Sequence, residues 1–193
     1  MSEPESDSTA LALIRRLHQH RTLVNQMLLD AAEPLTEEQL RLPLPIGQGS
    51  LWRSLVHLFA AEYVWLEALE GNEQPVAPGD SPAGLPGNQA GAGPLQTLAE
   101  LRSVWAELNL RWSASLGALR ADQLGDLIYK ISSSSLAGQR IGLARSDVLL
   151  HVCTHAQYTA AQVVNMLRQV GAPELPDVML ISLARREAVQ ARF

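Results

Sequence analysis

Apolar residues recur at three- and four-residue intervals along four long stretches of the chain, the repeat of helices that bury one face. The first stretch carries Leu11, Leu13, Leu17, Val24, Met27, Leu28 and Ala31 and must end before Pro34. A second begins after Ser50, a good N-cap, and runs to about Glu70, where Gly71 stops it. Its stripe of Leu51, Leu55, Leu58, Trp65 and Leu69 is flanked by Trp52, Val56, Phe59, Tyr63 and Leu66, so wide an apolar surface that a central place is expected. The third opens at Pro94 and reaches about Leu119, with Leu98, Leu101, Trp105, Leu108 and Trp112 inward. The fourth is capped by Ser146, carries Val148, Val152, Ala156, Val163 and Leu167, and ends near Val170 before Gly171 and Pro173.

The intervening segments read differently. Thr36 to Leu40 predicts one short capped turn, and Leu42 to Gly47 is a proline-broken connector. Gly71 to Gly93 is rich in glycine, proline and alanine, without a hydrophobic period, and predicts a long exposed loop. Leu127 to Ile131 and Gln139 to Leu143 are short and β-prone around a serine-rich turn, the pattern of a small β-hairpin. A last short helix is expected over Val178 to Ala188, and residues 1–8 read as a flexible tail ahead of one domain spanning 9–193. The expected fold is all-α: an antiparallel four-helix bundle with one long crossover loop and a small β-hairpin before the last long helix.

Composition narrows the function. A formal net charge of −5 gives no basic footprint, which argues against nucleic acid as a partner. The richest apolar segment, Leu51 to Leu69, is broken by Arg53, His57, Glu62 and Glu67, so no membrane span is expected. One cysteine excludes an internal disulfide, and a cytoplasmic setting is the default. Cys153 itself reads as a small buried apolar residue. His18 and His20, two residues apart, face away from each other and are expected at the surface or its boundary.

Three other histidines carry the candidate chemistry. His151 and His155 are one helical turn apart, so both imidazoles leave one face of the fourth helix. His57 lies within the most apolar helix, among the small neighbours Ser54, Ala60, Ala61 and Val64. Taken singly, each reads as a boundary histidine hydrogen-bonded to a neighbour. Taken together they could converge on one divalent metal ion, which removes the cost of burying three unpartnered imidazoles. Asp147, one turn before His151, either orients it or compensates the helix dipole. Tyr158 is either a donor to a bound substrate or a core residue.

The stretches Gly49-Ser50-Leu51-Trp52-Arg53-Ser54-Leu55-Val56-His57-Leu58 and Leu149-Leu150-His151-Val152-Cys153-Thr154-His155-Ala156-Gln157-Tyr158 make the chain resemble the DinB/YfiT-like metalloprotein superfamily. Its members are four-helix bundles with a histidine on the second long helix and a His-x-x-x-His pair on the last. Tyr158 and Gln162 match the pattern that follows the pair; Thr159 replaces a further histidine, and Ala160-Ala161 replace Arg-Gly. The resemblance implies His57, His151 and His155 as ligands of zinc or nickel, with an open position on the metal. It also implies a thiol S-transferase using a low-molecular-weight thiol on a small electrophile. The alternative is a non-catalytic helical bundle that binds a small molecule or a protein partner. A homodimer is compatible with either.

Overall fold

The computed structural model describes residues 4–82, 84–133 and 136–190. Among them are six α-helices and a two-stranded antiparallel hairpin, in the order α1 (Pro4–Ala32), α2 (Glu37–Arg41), α3 (Leu51–Leu69), α4 (Leu98–Ala118), β1 (Leu127–Ile131), β2 (Arg140–Ala144), α5 (Arg145–Gln169) and α6 (Leu180–Gln190). The long helix α5 packs against both α1 and α3, and α4 packs against α3 and α1. Their shared core holds Leu28, Leu55, Leu58, Leu101, Trp105 and Leu167, all 0–1% exposed. Each such side chain contributes about 1.5–3 kcal/mol relative to an exposed position. Among the described residues no helix is long and apolar enough to cross a membrane.

The helix ends show which local signals acted. Ser50 caps α3 by accepting the Arg53 N–H, and Thr36 forms a reciprocal capping box with Gln39 at α2. Elsewhere the expected ends move. Residues 1–3 of the expected tail lie outside the described residues, and from Pro4 the backbone is already helical. Helix α4 starts after Thr97 rather than at Pro94, because Thr97 and Glu100 form a second capping box. Ser146 is not the cap of α5. That helix grows directly out of β2, and the N–H groups of Arg145 and Ser146 donate to the carbonyls of Asp126 and Leu124 at 2.8 and 3.0 Å.

Two further expectations are corrected. His18 and His20 are 2% and 8% exposed, not surface residues. They do face different ways, but α1 is covered on both flanks: His18 Nε2 meets the Leu149 carbonyl at 3.1 Å and His20 Nε2 the Val178 carbonyl at 3.0 Å. Glu62, counted from sequence as an interruption of the apolar run, is 1% exposed. It accepts from Asn25 Nδ2 and Trp105 Nε1 at 2.6 and 3.1 Å and pairs with the equally buried Arg21 at 3.3 Å. The Arg21 guanidinium in turn lies 4.6 Å over the Trp112 ring.

The α3–α4 connection is exposed only in part. Asp80, 9% exposed, accepts the Gly87 N–H at 2.6 Å and the Gln89 N–H at 2.9 Å. Asn88 bridges back to Ser81, and Ala77 is buried. These side chains give a segment without hydrophobic period a defined shape, which periodicity could not have announced. The hairpin is fastened to the same segment: Ile131 N–H donates to the Glu73 carbonyl at 2.8 Å, and Arg140 forms a two-pronged pair with Glu73.

Candidate metal centre

Three elements bring the predicted histidines to one region. His57 leaves the middle of α3, while His151 and His155 leave successive turns of α5, which packs on α3. Gly87 of the connection lies against the His57 backbone. Its φ of +84° is a conformation open chiefly to glycine, and a Cβ there would stand 2.6 Å from His57 Cα. That close approach delivers the Pro86 carbonyl to His57 Nδ1 at 2.7 Å. A carbonyl only accepts, so Nδ1 carries the proton and Nε2 of His57 presents a lone pair.

That lone pair points at His155, whose Nε2 is 3.2 Å away. Two lone pairs cannot bond one another, so without a third party His155 must donate its Nε2–H. Nitrogens on adjacent corners of a four-coordinate zinc, with Zn–N of ~2.0–2.1 Å, stand about 3.3 Å apart. The His57–His155 pair therefore already has the separation of two zinc ligands. Burial, reinforced by His57 and His151, pulls His155 down to about 4, and burial also lowers His151. Neutral imidazole is the form that ligates.

His151 stands apart from this pair. Its ring centroid is 5.8 Å from that of His155, and it makes an edge contact with Trp65 at 5.4 Å. Among the described residues no three His, Cys, Asp or Glu side chains are gathered closely enough to hold a metal ion. The structure thus brings two of the three histidines into contact and leaves the third one helical turn away on Trp65.

All three line one cavity of about 540 Å³. Helix α3 adds Trp65, the connection adds Leu85 and Pro86, and the hairpin adds Lys130 and Leu143. Asp147 also lines it, exposed in the first turn of α5, and makes no hydrogen bond with His151. Tyr158 is 68% exposed and is not part of the cavity. Cys153 faces away, 8% exposed, with its thiol pushed up to about 12 by burial. Two contributors escaped the sequence reading. The Pro86 carbonyl leaves no side-chain signal, whereas Lys130 did leave one, since it is the only lysine among 193 residues.

A mostly helical protein with a histidine-lined pocket between two packed helices is the class defined by these features. The chain belongs to the DinB superfamily: the family model matches residues 16–163, which take in α3, the hairpin and the His151–His155 turns of α5. No curated protein and no solved structure matches it significantly.

Proposed function

We propose that this protein binds a divalent metal through His57, His155 and His151 and acts as a metal-dependent thiol S-transferase on a small electrophile. The observation that carries the metal is the 3.2 Å approach of two Nε2 atoms, one of them held as a lone pair by the Pro86 carbonyl. His151 completes the set by turning its ring off Trp65. The mutual packing of α1, α3, α4 and α5 is read here as the antiparallel four-helix bundle, whose facing helices commonly supply such ligands.

A divalent ion held by these histidines would supply positive charge that favours the thiolate form of a bound thiol. The protein's own groups do the rest. The Pro86 carbonyl fixes the tautomer of His57, and Trp65, Leu85 and Leu143 give the electrophile an apolar wall to lie against. In the transfer the thiol loses its proton to solvent, sulfur forms a bond to the electrophilic carbon, and the leaving group departs with its electron pair.

A second reading, a metal-free pocket that only binds a small molecule, is favoured by the separate position of His151 on Trp65. Metal analysis of untagged protein decides between them. The metalloenzyme should carry close to one equivalent of zinc or nickel, lost in both His57→Ala and His155→Ala, and should couple a low-molecular-weight thiol to an electrophile only when loaded. Trace metal, unchanged in those variants and not restored by added zinc or nickel, defeats it.

A further inference from the structure

Lys130 is the chain's only lysine, against fourteen arginines, and it stands in β1 where the hairpin walls the histidine cavity. It also borders an adjoining hollow of about 450 Å³, so the ammonium sits where the two spaces meet. Its stem is half-buried, and its Nζ lies 5.6 Å over the Trp65 ring and donates to the Ile131 carbonyl at 3.2 Å. Among the described residues no carboxylate holds it, and burial lowers its affinity for a proton. Six of the surface arginines differ, since Arg16, Arg41, Arg102, Arg111, Arg120 and Arg140 have acidic partners. A partly desolvated ammonium with spare donors, opening on a mostly apolar cavity, offers a charge that no anion among the described residues neutralises.

We propose that Lys130 is the anchor for a carboxylate on the small molecule that occupies the cavity. The ligand class is an organic monocarboxylate of modest size. Its carboxylate meets Lys130, and its apolar body lies along Trp65, Leu85, Ile141 and Leu143. Its far end then approaches His57 and His155. Only that last placement rests on the metal-centre reading; the anion anchor does not.

The single lysine makes the test direct, because reductive ¹³C-methylation labels only Lys130 and the chain's α-amine. The probes are hexanoate and its neutral isostere hexanamide, each titrated into chelator-treated and zinc-loaded protein. Hexanoate should shift the Lys130 methyl resonance saturably in both forms, and hexanamide should not. In unlabelled protein, calorimetric titration should show Lys130→Met losing about tenfold or more in hexanoate affinity, the scale of one charged hydrogen bond. Lys130→Arg should keep most of it, and both variants should take up zinc as the parent does. Equal binding of the two probes, unaltered hexanoate affinity in Lys130→Met, or no saturable binding by the parent overturns the proposal. Hexanoate binding confined to zinc-loaded protein and indifferent to Lys130 assigns the anion to the metal and overturns it as well. If His57→Ala abolishes zinc uptake yet leaves Lys130-dependent hexanoate binding to the chelated protein, the anchor stands independently. If no form takes up zinc, the metal reading alone fails.

Discussion

Replacing Gly87 by alanine tests how the connection controls His57. At φ +84° an L-residue is strained by roughly 1–2 kcal/mol. The added Cβ would also stand 2.6 Å from His57 Cα and 2.8 Å from His57 N. Both are backbone atoms of α3 and cannot give way, so the connection must lift. Lifting removes the Pro86–His57 hydrogen bond, a further net loss of about 0.5–1.5 kcal/mol. Gly71→Ala is the matched control: its φ is +98° but nothing lies within 4 Å of the new methyl, so it bears the conformational cost alone. Thermal unfolding should therefore separate the two. At roughly 2–4 °C per kcal/mol for a chain of this size, Gly87→Ala should melt several degrees below Gly71→Ala. Long-range ¹H–¹⁵N spectra should show His57 losing its fixed Nδ1–H tautomer only in Gly87→Ala, with zinc affinity falling about 10–100-fold, as when an outer partner of a ligand is removed. Equal melting of the two variants, with the His57 tautomer intact in both, refutes the reasoning.

Three other outcomes follow from the buried polar groups. His18 titrates at about 3 in the fold against 6.5 unfolded, held down first by burial and then by the charge of Arg21. The unfolded chain thus binds the extra proton between these values, and stability falls as pH drops through 6.5 toward 3, by about 2 kcal/mol at pH 5 from this group; denaturant unfolding of His18→Gln should show a flatter acid limb. Glu62→Leu should cost about 3–5 kcal/mol by stranding the Arg21 charge, and adding Arg21→Met should recover much of it; a double variant no more stable than the single one contradicts this. At pH 8 about one Cys153 in ten thousand is thiolate. A thiol reagent should therefore consume it only as fast as the chain unfolds, and a native-state burst of one equivalent would place the thiol elsewhere.

Much of this arrangement was legible because α3 and α5 repeat their apolar residues faithfully. The period places His57 and His155 on faces that pack inward and leaves the more exposed His151 at the edge of that face, and Ser50 marks where α3 begins. The Thr97–Glu100 box was equally readable, but Pro94 is a competing start signal, and the box satisfied more free N–H groups. What periodicity cannot express is pairing between distant polar groups. Glu62 looks like a break in an apolar run until Arg21, Asn25 and Trp105 arrive from two other helices. His18 and His20 look like boundary residues because the carbonyls that take them belong to Leu149 and Val178, more than 100 positions away. The Asp80-centred connection lacks any repeat, yet its side-chain bonds to Gly87 and Gln89 fix the backbone that reaches His57.

A division of labour follows from where each part of the site originates. The imidazoles sit on long helices whose positions are set by burial of an extensive apolar core, so their mutual geometry resists local change. Of the other groups that line the cavity, Leu85, Pro86, Lys130 and Leu143 come from the connection and the hairpin, held together by Glu73 through Ile131 and Arg140. Substitutions in these two segments can alter what the cavity admits while the helices keep the histidines in place. Pro86 is the exception that joins the two layers, because its carbonyl belongs to the connection but determines which nitrogen of His57 is free to act. A change in the connection that keeps Gly87 seated on α3 should therefore shift ligand preference alone, whereas one that unseats it should disturb His57 as well.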